Sequence, residues 1–214
     1  MSTQSKTGLE VLVTPEESVM KAIVFDRFGG TEVLHEADIE VPQPGPGQVR
    51  VRVKAAGVNA LDGKTRSGML EAVRPTTLPA VPGGELAGVV DALGEGVTDV
   101  QVGDEVLGWS DTGSYAQYAL ATTVAPKPAG LDWQDAAALP VASKTAERVL
   151  NLLGVAAGET VLMHGASGGV GTLAIQLATA AEHASSPPQA PPTRTTSPRS
   201  APPRRCTARG WSSG

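Results

Sequence analysis

A glycine loop between an apolar run and an apolar helix constrains this chain more than any other feature. Val161-Leu-Met163 is a short apolar run of the kind that forms a buried parallel strand. His164-Gly-Ala-Ser-Gly-Gly-Val-Gly171 comes next, and Val170 to Ala178 then reads as the opening of a helix. Backbone N–H groups at a helix start lack intrahelical partners, and the helix dipole adds partial positive charge there. Glycines let a pyrophosphate approach the backbone without meeting a Cβ. The stretch therefore reads as a nicotinamide-dinucleotide site, with Gly165, Ala166, Ser167, Gly168, Gly169, Val170 and Gly171 around the phosphates.

Three other readings compete for the same loop. Gly165-Ala-Ser-Gly-Gly169 matches a Gly-x-Ser-x-Gly nucleophile elbow. Its triad fails, because the only acid downstream, Glu182, sits beside His183 at the far end of the helix that Ser167 opens. A Walker loop fails because Thr172, not lysine, follows Gly171. A purely structural tight turn stays open.

The residues beyond this helix matter as much. A Rossmann half needs a second strand, whose end selects NADPH or NADH at the ribose. Residues 184–214 instead hold seven prolines, five arginines, ten Ser/Thr, no acid and no Ile, Leu, Val, Met or Phe. Proline at that density breaks helices and central strands, and so little apolar area cannot offset chain entropy. A disordered tail over 184–214 is expected. Codons for residues 184–201 can be chosen so that a shifted frame reads Val-Ile-Ala-Thr-Ala-Ser-Ala-Thr-Asn-Thr-Asp-Tyr-Leu-Ala-Ala-Leu-Gly, so a frameshift and C-terminal truncation are expected. The nucleotide sequence tests this.

That tail carries +5 against −5 for the whole chain, so the remainder carries −10. An acidic body argues against nucleic acid as its partner. The scattered arginines of the tail leave open an arm for RNA or an acidic surface. Cys206 is the single cysteine, which excludes an internal disulfide framework and any multi-cysteine zinc site. No apolar run approaches the ~20 residues of a membrane span, and the N-terminus lacks a signal-peptide core. A soluble, cytoplasmic protein without a membrane partner is expected.

Upstream, residues 1–19 read as a flexible extension and residues 20–125 as short strands. Met20–Gly30 is a strand ending in a glycine turn, and Val33–Val41 a second. Gln48 to Ala55 alternates cleanly, with Val49, Val51 and Val53 on one face and Arg50, Arg52 and Lys54 on the other. Asn59 to Arg66 reads as a turn or short helix, in which Asn59 or Asp62 equally reads as a cap. Gly83–Val90, Val102–Gly108 and Tyr115–Leu120 are further strands, with a turn at Asp91–Val97. Strands at this spacing predict a small closed or partly closed β-barrel. Trp133–Ala138, capped by Asp132, and Ser143–Leu153, ending at Gly154, read as two helices.

Seven stretches in this order resemble the medium-chain dehydrogenase/reductase superfamily, and its zinc-independent quinone oxidoreductase branch. They are Phe28-Gly-Gly30, Pro44-Gly-Pro-Gly47, Ala56-Gly-Val-Asn59, Gly94-Glu-Gly-Val-Thr98, Val102-Gly-Asp-Glu-Val106, Ala136-Ala-Ala-Leu-Pro140 and His164 to Gly171. The resemblance implies an α+β chain: a GroES-like β-barrel domain over 20–125, then a helical connection and an incomplete Rossmann domain over 126–183. It also implies NADPH as cofactor and hydride transfer to a quinone or α,β-unsaturated carbonyl. A non-catalytic remnant retaining a small-molecule-binding barrel is the alternative. The family's dimer surface falls in the missing part, so a family-type homodimer is not expected.

By the same resemblance Asn59 and Asp62 line the nicotinamide end of the cleft, and Thr145 approaches the cofactor. Asn59 and Lys64 are candidates to polarise the acceptor oxygen, although Lys64 also reads as a solvated surface charge. Gly63 and Glu147 stand where the family carries aromatics. Zinc-dependent relatives place cysteine at Asn59 and histidine at Gly84-Glu85, and His35, His164 and His183 have no partner at ligand spacing. No metal is expected.

Overall fold

The computed structural model describes residues 18–156 and 158–185, with side chains given up to residue 180. Most of the expected extension over 1–19 and of the expected tail over 184–214 lies outside the described residues, but Val19 already begins the first strand and Ser185 still belongs to the last helix. The chain divides into two compact units, one ending at Ala138 and the next beginning at Leu139.

The first unit is built on strands. β1 (Val19–Val24) pairs antiparallel with β2 (His35–Glu40). A five-stranded antiparallel sheet contains β3 (Val49–Ala56), β4 (Glu85–Leu93), β5 (Glu105–Trp109), β6 (Tyr118–Ala121) and β7 (Val124–Pro126), in the order β6-β3-β4-β5-β7. Two backbone bonds tie β1 to the segment entering β6: Ile23 N–H to Tyr115 O at 2.8 Å and Gln117 N–H to Lys21 O at 3.1 Å. Val53 N–H donates to Gln117 O from the other side, at 2.9 Å. The segment thus belongs to both sheets and curls them into a partly closed barrel.

Alternation on β3 works as its sequence predicts. Val49 and Val51 are buried and Arg52 and Lys54 exposed. Val51, Leu86, Val90 and Val106 are almost wholly removed from water and form one core with Ala119 and Ala121. Burying each large aliphatic side chain contributes roughly 1.5–3 kcal/mol. Two of the sequence motifs meet here: Gly94 N–H donates to Gln48 O and Gly47 N–H to Glu95 O, both at 2.8 Å.

Three local expectations are corrected, and one strand was not anticipated. The turn expected at Asp91 begins later, because β4 runs on to Leu93, with Val49 opposite Leu93 and Arg50 clamped on Asp91. β7 carries no alternation long enough to announce it, and forms because it closes the edge of β5.

The two helices expected between Trp133 and Leu153 are one, α2 (Trp133–Leu153), which passes through Pro140. Proline there removes one donor, at a cost of about 3 kcal/mol relative to alanine. Burial of Ala136 and Ala137 before it, and of Val141, Ala142 and Ala146 after it, holds the helix together. Asp132 caps the start through a 2.8 Å bond from Asp135 N–H. The end is a Schellman closure, with Gly154 N–H on Asn151 O and Val155 N–H on Leu150 O.

The strand expected at Val161–Met163 is not formed: residues 160–163 are irregular and Leu162 is 96% exposed. A parallel strand exists only by pairing, and neither sheet extends to this stretch. The helix after it does form, as α3 (Gly169–Ser185). No helix among the described residues is long and apolar enough to cross a membrane.

Candidate functional site

The first candidate site grows from the turn after β3. Gly57 lies so close to Glu85 and to the carbonyl of Ala137 that a side chain there would overlap both. This close approach brings the chain out beside β4, and α1 (Ala60–Arg66) starts immediately. Asn59 is its N-cap: Oδ1 accepts the Leu61 N–H at 3.0 Å, and Asp62 Oδ2 reaches back to the Asn59 N–H at 2.8 Å. A reciprocal capping box satisfies donors that a helix start otherwise leaves open.

Asp62 is buried, and its Oδ2 accepts a second bond from the Tyr115 phenol at 3.0 Å. Burial pushes the phenol pKa well above its ordinary value, and the Asp62 charge and hydrogen bond push it further the same way. Tyr115 is therefore a protonated donor throughout the neutral range.

Asp62 also lines a cavity of about 430 Å³, within the size range of small-molecule sites. Leu61 and Thr65 of α1, Arg74, Gly84 and Ser110 contribute to its wall. Ser110 N–H donates to Gly84 O at 3.1 Å, but its hydroxyl has no hydrogen-bond partner among the described residues.

Asn59, Asp62 and Lys64 thus come out differently. Asp62 is in the cavity wall; Asn59 caps the helix that forms this wall; Lys64 is exposed and outside the lining. Tyr115 escaped the sequence reading because 53 residues separate it from Asp62. Its only signal was a position after a glycine turn at the start of an alternating run.

The second candidate site is the glycine loop. Gly165 has φ +74° and its carbonyl accepts the Gly168 N–H at 3.1 Å. Thr172 N–H to Gly168 O, at 2.8 Å, makes the first turn of α3. The N–H groups of Gly169, Val170 and Gly171 therefore precede the helical ladder. Gly171 packs under the loop, and Gly169 faces Ala142 of α2. Thr145 lies one turn on from Ala142, on the same side of α2, with its hydroxyl donating to Val141 O at 2.7 Å. Ala166 and Ser167 complete the bend, with Ser167 exposed. The loop offers donors ahead of the helical ladder and glycines that keep its backbone close, which fits a dinucleotide pyrophosphate.

Residues 45–129 match the alcohol dehydrogenase GroES-like domain. A quinone oxidoreductase of Lama guanicoe is 46% identical over 169 residues, 77% of this chain and 51% of that protein. The chain belongs to the medium-chain dehydrogenase/reductase superfamily. Within it, the relatives matched include the NADPH-dependent alkenal/one oxidoreductase of Arabidopsis thaliana chloroplasts, 39% identical over 192 residues, covering 83% of this chain and 49% of that protein. A mycobacterial protein solved with NADPH has TM-score 0.69 and 37% identity, over 76% of this chain and 51% of that one. The chain spans about half the length of the curated relatives it matches.

Proposed function

We propose that this chain carries out the chemistry of a zinc-independent, NADPH-dependent reductase whose hydride acceptor is a quinone or another α,β-unsaturated carbonyl. The observation that carries the reading is the glycine loop. The N–H groups of Gly169, Val170 and Gly171 precede the ladder of α3, and Gly171 is packed where any side chain would displace the loop. The names of the relatives, quinone oxidoreductase and NADPH-dependent alkenal/one oxidoreductase, support the same reading.

Gly165 to Gly171 would hold the pyrophosphate, with Thr145 beside them. Bound NADPH would supply a hydride from its nicotinamide ring. The chain's part is to orient and polarise. The cavity at Asp62 would take the acceptor, and Asn59, at the cap of the helix that forms its wall, is proposed to polarise the acceptor oxygen. Lys64 is proposed as a surface charge. Zinc independence is supported by Asn59 and Gly84 standing where zinc-dependent relatives place cysteine and histidine. Among the described residues no three His, Cys, Asp or Glu side chains gather as a metal site.

The irregular stretch at 160–163 favours one second reading, a ligand-binding barrel without turnover. Titration of the full chain with NADPH separates the two. Saturable micromolar binding, with NADPH oxidation on adding 1,4-benzoquinone or cyclohex-2-enone, supports the reductase. Absence of NADPH binding refutes it and leaves the barrel.

A further inference from the structure

Asp62 is held from two directions through a single oxygen. Oδ2 accepts the Asn59 N–H at 2.8 Å and the Tyr115 O–H at 3.0 Å. Oδ1 faces Gly84, where an added Cβ would stand 3.9 Å away. The phenol is itself delivered by backbone bonds on both sides of its residue. Tyr115 N–H donates to Pro82 O at 3.0 Å, and Tyr115 O accepts the Ile23 N–H at 2.8 Å. Residue 115 therefore sits where the two sheets are joined, and its side chain crosses to the cavity wall.

We infer that Tyr115 is a positioning residue: its O–H fixes Asp62, and Asp62 in turn fixes Asn59 and the start of α1 against the cavity. The inference rests on the reductase reading above and deepens it. A carboxylate oxygen bonded from two sides is held in one orientation, and losing one donor lets it turn away from the Asn59 N–H. The charged and titratable groups around the pair are Glu85 at the head of β4 and Arg66 at the end of α1, both acting on the Tyr115 phenol. Neither replaces the phenol, since the hydrogen bonds to Asp62 Oδ2 come from Asn59 and Tyr115. A tyrosine that merely filled space would affect stability without loosening the bond from the Asn59 N–H to Asp62.

Tyr115→Phe in the full chain tests this, because it removes the donor and keeps the ring. The readouts are hydrogen exchange at the Asn59 N–H and the kinetics of NADPH oxidation with cyclohex-2-enone. Exchange at the Asn59 N–H is expected to speed up roughly tenfold. kcat is expected to fall roughly tenfold with KM little changed. Asp62→Asn should make the further loss from Tyr115→Phe small, since both act through one contact. Unchanged exchange at the Asn59 N–H overturns the inference, as does faster exchange with unchanged kcat. Wild-type chain that oxidises no NADPH defeats the reductase reading first, before any substitution is compared, and the inference falls with it.

Discussion

A Cβ placed on Gly171 would stand 2.5 Å from the carbonyl oxygen of Gly165 and 2.6 Å from Ala166 Cα. Both contacts are with backbone, so the loop, not a flexible side chain, would have to move. Gly171→Ala is therefore expected to weaken NADPH binding at least roughly tenfold, by displacing the N–H groups that precede the helical ladder. Fluorescence titration with NADPH checks this. Gly63→Ala, at a helical glycine with nothing within 4 Å of the added Cβ, is the control and should bind as wild type does.

Asn59 combines a structural and a chemical role that substitution can separate. Asn59→Ala removes the cap on α1 and is expected to cost about 0.5–2 kcal/mol in urea unfolding. Asn59→Asp keeps a capping oxygen but removes the amide donor. Its stability should stay close to wild type while turnover with an enone falls. Equal turnover in Asn59→Asp and wild type would remove Asn59 from the chemistry.

Arg50 and Asp91 lock β3 to β4 away from the site. Asp91 Oδ2 accepts from Arg50 Nη2 at 2.6 Å and from Nε at 2.7 Å, with both side chains largely shielded. Arg50 also stacks over the Tyr118 ring at 5.5 Å. Asp91→Ala is expected to destabilise the barrel by about 1–3 kcal/mol, since it leaves a shielded guanidinium short of its partner. The urea midpoint should fall, and the Arg50→Met/Asp91→Ala pair should lose less than the sum of the single changes.

Tyr115 gives the barrel an alkaline limit. Its folded-state pKa lies above the ordinary value of 10.0, so the folded chain keeps the phenolic proton when the unfolded chain has released it. The stability this contributes is whole below pH 10 and declines as pH rises beyond that point. Unfolding free energies measured across the alkaline range should fall for wild type. In Tyr115→Phe this part of the decline should vanish.

The legible parts of the fold were those that local pattern dictates. Valines alternating with Arg50, Arg52 and Lys54 specify a half-buried strand wherever the chain places it. Asn59 with Asp62 three residues on specifies a capped helix start, and the glycine loop before Val170 specifies another. Gly154 after Leu153 specifies a helix end. Pro140 misled, because proline propensity is a local cost that burial of the flanking alanines and Val141 outweighs. Val161 to Met163 misled for the opposite reason: the residues suit a strand, but a strand is a property of pairs.

By itself, then, the sequence determined which residues could cap, turn, alternate and leave backbone bare for a phosphate, since those choices depend on neighbours a few positions away. Only the tertiary structure decided that Tyr115 reaches Asp62 and that Asp62, Thr65, Gly84 and Ser110 share one cavity. It also decided that Lys64 stands outside that cavity. Hydrogen bonds and cavities of this kind join residues tens of positions apart, and chain entropy is overcome there by burial that no short window contains.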